Sequence, residues 1–385
     1  MERADVVIGG GGIIGLTLAL QLARNGFRVR VIERGRAMGE ASWAAAGMLA
    51  AEDPENPPQL AALAALSRSL YPEYLSTLAR LSGRPVPLRT KNTLQASRPG
   101  EHFDCAATAT RTSITPEEAV RRIPELQSGG RSFLWLDEWS LDPRDLCAAL
   151  PLAAAEAGVL LEESIAVVSV TPHTDSVTIT TSAGCVSAGC FVNCCGAWAG
   201  TVPYSPALPA ETAQDFPPTV LPRKGQMVTV RLDKAPRLHE VLRTPEIYLV
   251  PRGDGRVVVG ATVEDMGFDR RVEPAALNRL LSQAAALWPP IASGEVVESW
   301  SGLRPGTPNG LPLIGRAGSD RSVLPNCWLA TGHYRNGILL APATAAVLCQ
   351  SITGQTPAIS LSNFAADRCP PSRPALPSTP KAALK

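Results

Sequence analysis

Gly10-Gly11-Gly12-Ile13-Ile14-Gly15 has the spacing GxGxxG. The chemistry such a turn serves is pyrophosphate binding. The first glycine allows a sharp turn, the second lets the backbone approach phosphates, and the third lets helix and strand pack closely. The phosphates then face unpaired N–H groups and the positive end of the following helix. Glu33 ends the next apolar run, and a carboxylate there accepts both ribose hydroxyl protons. The same acid disfavours a 2′-phosphate, so NADP is not expected. A glycine-rich turn alone also fits a packing corner. Its place between an apolar strand and an apolar helix makes it a dinucleotide site.

Other chemistries find little material. The nine cysteines, at 105, 147, 185, 190, 194, 195, 327, 349 and 369, contain no CxxC. Cys194 and Cys195 sit in an apolar run and read as a buried reduced pair. The four histidines form no HxH or HExxH, so no metal site is expected. Net charge is +1, from 36 basic and 35 acidic residues, and no field gathers nucleic-acid phosphates. Residues 6–20 are apolar, but glycines interrupt them and Glu2 and Asp5 flank them. They read as neither a signal peptide nor a membrane span. A soluble, cytoplasmic protein is expected. Its 385 residues, 45% of them apolar, suit two or three domains.

The elements that position the turn follow from patterning. Residues 4–9 read as a buried strand, 13–25 as a helix ended by Gly26, and 28–33 as a second strand. That is a βαβ unit opening a parallel sheet. Helices are expected at 59–81, after Thr115 (Pro116-Glu117-Glu118), and at 143–157, 274–288 and 337–350. Strands are expected at 86–97, 165–172, 176–182, 190–196, 225–232, 295–300 and 324–331. A hairpin over 247–263 turns at Gly253-Asp254-Gly255. A sheet that resumes at 190 and again at 324 favours FAD, threaded through distant segments, over NAD. The small residues of 40–50 let a flat ring approach, and they also fit an alanine-rich helix start.

Four segments carry a resemblance: EASWAAAGML (40–49), YLVPRGDGRVVVGATVED (248–265), GLRPGTPNGLPLIG (302–315) and ATGHYRNGILLAPATA (330–345). They resemble the glycine oxidases of thiamine biosynthesis, in the D-amino-acid oxidase group of FAD-dependent oxidoreductases. The resemblance runs from about residue 4 to 367.

It implies roles residue by residue. Arg304, in a Gly-Leu-Arg-Pro-Gly turn, matches the arginine that holds the substrate carboxylate, for which its planar fork is suited. Tyr248 matches a tyrosine that closes the pocket over that carboxylate, and Arg335 a second active-site arginine. Non-covalent FAD is implied, held by Gly10, Gly12, Ile13, Ile14, Gly15, Glu33 and Arg34. Further contacts are implied for Ser42, Ala45, Ala46, Gly47, Met48, Val167, Gly196 and Trp198. His333, Arg335, Asn336, Gly337 and Ile338 complete the set, where a helix N-terminus faces the charge that reduction places on the ring. His333 and Tyr334 are the nearest candidate bases, and His333 is read as part of the flavin's surroundings. Gly9, where relatives have a branched residue, is expected to loosen its strand end. Glu246 and Val263 stand where some relatives have histidine and methionine, which bears on substrate preference.

The fold class expected is α/β: a Rossmann-like FAD-binding domain with a second, discontinuous α+β substrate domain. The first takes 1–84, 141–215 and 296–367, the second 85–140 and 216–295, and a Pro-rich tail, 368–385, is disordered. The resemblance implies oxidation of glycine, sarcosine or small D-amino acids to an imine, with molecular oxygen as acceptor and hydrogen peroxide as product. It implies a homo-oligomer, with thiazole synthase as the imine's recipient. Sarcosine oxidase, D-amino-acid dehydrogenase and a non-catalytic flavin-binding subunit remain alternatives.

Overall fold

In a computed structural model, which describes residues 3–103, 108–204, 218–233, 237–319 and 322–366, the N-terminal βαβ unit forms as expected. Strand Ala4–Gly9 leads through the glycine turn into helix Ile13–Arg24 and returns as strand Val29–Ile32. The parallel core of the first sheet sets Leu160–Glu162, Val29–Ile32, Ala4–Gly9, Gly184–Asn193 and Ser322–Thr331 side by side. Antiparallel strands Val167–Pro172, Val177–Thr181 and Leu313–Ser319 extend it. Gly9 does not loosen its strand. It pairs with both Ile32 and Asn193, and the Phe191 ring fills the space a side chain would occupy.

Helices Ile13–Arg24, Pro143–Glu156 and Gly337–Ile352 pack on one face of this sheet, and helix Ala61–Ser82 packs on the last two of them. Their core joins Ile8, Leu16, Leu63, Leu150 and Leu340, all essentially without solvent contact. Asp142 starts one of these helices by accepting the Arg144 N–H at 3.1 Å, with Pro143 at the first helical position.

A second sheet of eight strands stands apart. Its order is Glu295–Gly306, Leu221–Arg231, Arg256–Gly260, Tyr248–Pro251, Val241–Arg243, Thr93–Ala96, Phe133–Leu136 and Arg111–Ile114. The boundary expected at 296 falls inside strand Glu295–Gly306, which pairs along its length with Leu221–Arg231. The sequence around Arg304 reads as a turn because of its glycines and proline. The structure makes it strand, in an edge position where proline costs no ladder hydrogen bond. The single strand expected at 86–97 is two: Leu88–Thr90 joins a small sheet with Met48–Leu49 and Trp139–Leu141, and Thr93–Ala96 joins the second sheet. Alternation alone carries no mark of that change of sheet. The boundary expected at 215 and the tail 368–385 lie outside the described residues.

Candidate active site

The parallel strands all end at one edge, where open α/β sheets place their ligands. From those ends come the Gly10–Gly12 turn, Glu33-Arg34, Cys194–Trp198 and Gly332–Asn336. A cavity of about 450 Å³ runs from these segments to Tyr248 and Arg304 on the second sheet. Of the residues singled out from the sequence for site roles, Gly15 alone does not border it.

Gly15 has a different task. A β-carbon there would lie 2.0 Å from the Gly10 carbonyl oxygen, so the helix and strand meet only because it has none. Gly10 itself holds a left-handed φ of 104°, and a side chain there would strike the Cys194 carbonyl. Gly12 is the open position, with only Ser42 Oγ near its missing β-carbon, at 3.3 Å. Glu33 is buried, and its carboxylate accepts N–H groups from Gly11 and Gly35, each at 2.8 Å. Ser42 Oγ accepts the Ile13 N–H at 2.9 Å. Both side chains therefore shape the glycine turn as well as face the cavity. Arg34 lies over the Trp198 ring at 3.5 Å and pairs with Glu40.

The second sheet presents one row of cross-strand partners: Gln95, Arg243, Tyr248, Gly260, Met227 and Trp300. Directly opposed residues share a face, so this row looks out together. A β-carbon on Gly260 would lie 2.5 Å from the Tyr248 hydroxyl, so the phenol ring lies across that glycine. Arg304, four residues beyond Trp300 on the same face, lies across Gly225 in the same manner. Arg304 Nη1 donates to the Thr262 carbonyl at 3.1 Å. Burial pushes the Tyr248 phenol up, and the Arg304 guanidinium beside it pulls the other way.

The same face grips the segment that borders the cavity from the first sheet. Trp300 Nε1 donates to the Ala44 carbonyl at 3.0 Å, and Gly302 leaves room for the Ala44 methyl. Arg252, 4% exposed, donates to the carbonyls of Ala46 at 2.8 Å and Leu141 at 3.0 Å. Gly225, Gly260 and Arg252 were not legible as site residues, although glycine inside a strand is a sign of close approach.

Arg335 borders the cavity, but its guanidinium is occupied by Glu55 at 3.0 Å and Asp53 at 3.2 Å. Behind Asp53 lies Arg243, 5% exposed, with Nη1 3.1 Å from Glu138 and Nε donating to Gln95. No sequence signal announces this cluster, because its members are scattered from Asp53 to Arg335. His333 is buried with Nε2 3.0 Å from Thr344 Oγ1, and Nδ1 has no partner among the described residues. Burial pushes its pKa down to about 3, so the imidazole is neutral and unsuited to act as a charged acid at pH 7. Asn336 donates to Asn56, and among the described residues no side chain caps helix Gly337–Ile352.

These features fit a flavin dinucleotide on the structure's own terms. The glycine turn and Glu33 suit a pyrophosphate and a ribose. The uncapped helix start and the orphaned His333 Nδ1 leave polar atoms at the other end of the cavity wall. Together they define a two-sheet dinucleotide-binding oxidoreductase with its ligand groups divided between the sheets. Residues 5–351 match the FAD dependent oxidoreductase (DAO) family, and the chain belongs to it. It is 33% identical to glycine oxidase of Geobacillus kaustophilus, over 95% of this chain and 97% of that protein. The crystal structure of glycine oxidase from that organism superimposes with a TM-score of 0.85 at 31% identity, covering 96% of this chain and 99% of the other. It is also 36% identical to the bifunctional protein ThiO/ThiG of Trichormus variabilis over 94% of its length, and spans 54% of that protein. Among the described residues, no helix is long and apolar enough to cross a membrane.

Proposed function

We propose that the protein oxidises glycine and other small amines bearing one carboxylate, such as sarcosine and small D-amino acids. The observation that carries this reading is Arg304: an arginine without a carboxylate partner among the described residues, on the cavity wall beside Tyr248. FAD would supply the two-electron acceptor when bound, with molecular oxygen as the final acceptor. Arg304 would fix the substrate carboxylate through its planar fork, and Tyr248 would close over it. The amine enters neutral. Direct hydride transfer requires no side-chain base, so the protein's contribution is orientation and exclusion of water. Gly10, Gly12, Glu33, Val167 and Trp198 would hold the nucleotide end of FAD, and Ala45–Met48 with His333–Ile338 the ring end.

For glycine the balance is glycine, water and oxygen giving glyoxylate, ammonia and hydrogen peroxide. Delivery of the imine to a thiazole synthase belongs to the same reading, supported by the bifunctional ThiO/ThiG relatives, and self-association and a cytoplasmic location are proposed with it. The two-domain division also belongs to it, with strand 295–306 assigned to the substrate side.

The test is direct. Acid precipitation should release FAD into solution, and anaerobic glycine should bleach the flavin absorbance. Turnover with and without oxygen, across glycine, sarcosine and D-proline, separates an oxidase from a dehydrogenase. A flavin spectrum unmoved by every amine would overturn the reading.

A further inference from the structure

Four arginines among the described residues border the cavity: Arg34, Arg243, Arg304 and Arg335. Three of them are neutralised from within the chain. Arg34 pairs with Glu40 at 3.0 Å. Arg243 faces Glu138 at 3.1 Å and Asp53 at 3.7 Å. Arg335 is shared by Asp53 and Glu55. Arg304 has no carboxylate partner among the described residues. The cluster begins close to it: Arg243 is the cross-strand partner of Tyr248, and Tyr248 is beside Arg304.

We infer that Asp53 and Glu55 set the charge class of the substrate, an inference that rests on the reading of Arg304 as the carboxylate clamp. By occupying Arg335 they leave one cation able to take an anion. Among the described residues, the wall beyond Tyr248 then offers a second anionic group no unpaired cation, and Asp53, Glu55 and Glu138 outnumber Arg243 and Arg335 there, so the cluster repels it. Interactions of this kind are strong where low-dielectric walls exclude water. Asp53 is 6% exposed at its side chain and Glu55 35%, so Asp53 acts from within the wall and Glu55 from its rim. The site therefore takes amines with one carboxylate and rejects those with two.

The experiment uses the FAD-loaded full chain and a matched pair of amines, sarcosine and N-carboxymethylglycine, which differ by a carboxylate in place of a hydrogen. Acetate and malonate, titrated by flavin absorbance and by calorimetry, give the same comparison without turnover. Wild type should prefer the monocarboxylate of each pair by about tenfold or more. Asp53→Asn/Glu55→Gln, which releases Arg335, should narrow both ratios by about tenfold. Glu55→Gln alone, at a half-exposed position that does not risk the fold, should narrow them by about threefold. Asp53→Glu keeps the charge and should keep the wild-type ratio, which separates charge from packing. Ratios that stay within about twofold of wild type in both Gln-bearing variants would overturn the inference, as would a wild type that takes both members of each pair equally. Failure of every amine to react would overturn the functional reading instead. The acetate–malonate ratio would still decide the charge assignment.

Discussion

Arg304 lies so closely across Gly225 that a β-carbon on the glycine would fall 2.2 Å from Nη1 and 2.4 Å from Cζ. The two residues sit on neighbouring strands, with Gly225 opposite Gly302 and Arg304 one step further along the same face. The guanidinium reaches the cavity because that strand surface is bare. This makes the position of the arginine testable without touching it. Gly225→Ala should displace the guanidinium and raise KM for glycine, while FAD content stays normal. Wild-type KM in that variant would show that the contact is slack.

Arg304→Ala removes the charge and the fork together. Truncating one partner of a desolvated ion pair costs about 2–5 kcal/mol, so kcat/KM for glycine should fall by tenfold at least, and towards a thousandfold. Arg304→Lys should lie between, since lysine keeps the charge and loses the bidentate geometry. Flavin absorbance per protein should be unchanged in both. Wild-type kcat/KM in the alanine variant would mean that the carboxylate is held elsewhere.

Glu33→Ala should weaken FAD binding by tenfold or more, because hydrogen bonds to a charged group contribute about 1.5–3 kcal/mol each. The structure adds a second effect. The carboxylate also holds the N–H groups of Gly11 and Gly35, so the variant should lose thermal stability even without FAD. Glu33→Gln, which keeps one acceptor oxygen, should be intermediate in both. Calorimetric FAD titration and apo-protein melting curves check this pair of outcomes.

His333 makes a pH prediction. Its pKa lies at about 3 when folded against 6.5 ordinarily, because burial disfavours the cation. Below 6.5 the unfolded chain binds a proton that the folded chain refuses, so stability is lost as pH falls from 6.5 towards 3. The loss between neutral pH and about pH 5 should be about 2 kcal/mol. His333→Gln should flatten that acid limb relative to wild type. Denaturant melts at the two pH values read the difference, and parallel acid limbs would sink the assignment.

Arg252→Met keeps much of the side chain's volume and leaves the carbonyls of Ala46 and Leu141 without a donor. Each unsatisfied buried acceptor costs about 1–3 kcal/mol. A stability loss of about 2–4 kcal/mol is expected, together with faster FAD release, because Ala46 lies on the cavity wall. A variant as stable as wild type with normal FAD retention would show that the two carbonyls find other donors.

The sequence by itself determined the dinucleotide turn, its strand and helix, and the four motifs whose family resemblance named Arg304 and Tyr248 as candidates. Those signals are local: glycine spacing, apolar periodicity and short motifs are complete within a few residues. The buried partners were out of reach. Arg335 reads the same as Arg304 in sequence, and only folding brings Asp53 and Glu55 to one of them and leaves the other without a carboxylate among the described residues. The strand 295–306 reads as a strand followed by a turn until its register with 221–231 carries it through the proline and both glycines. Tertiary structure decided these points because electrostatic neutralisation and strand pairing depend on which distant residues meet, and residue type and spacing do not encode that meeting.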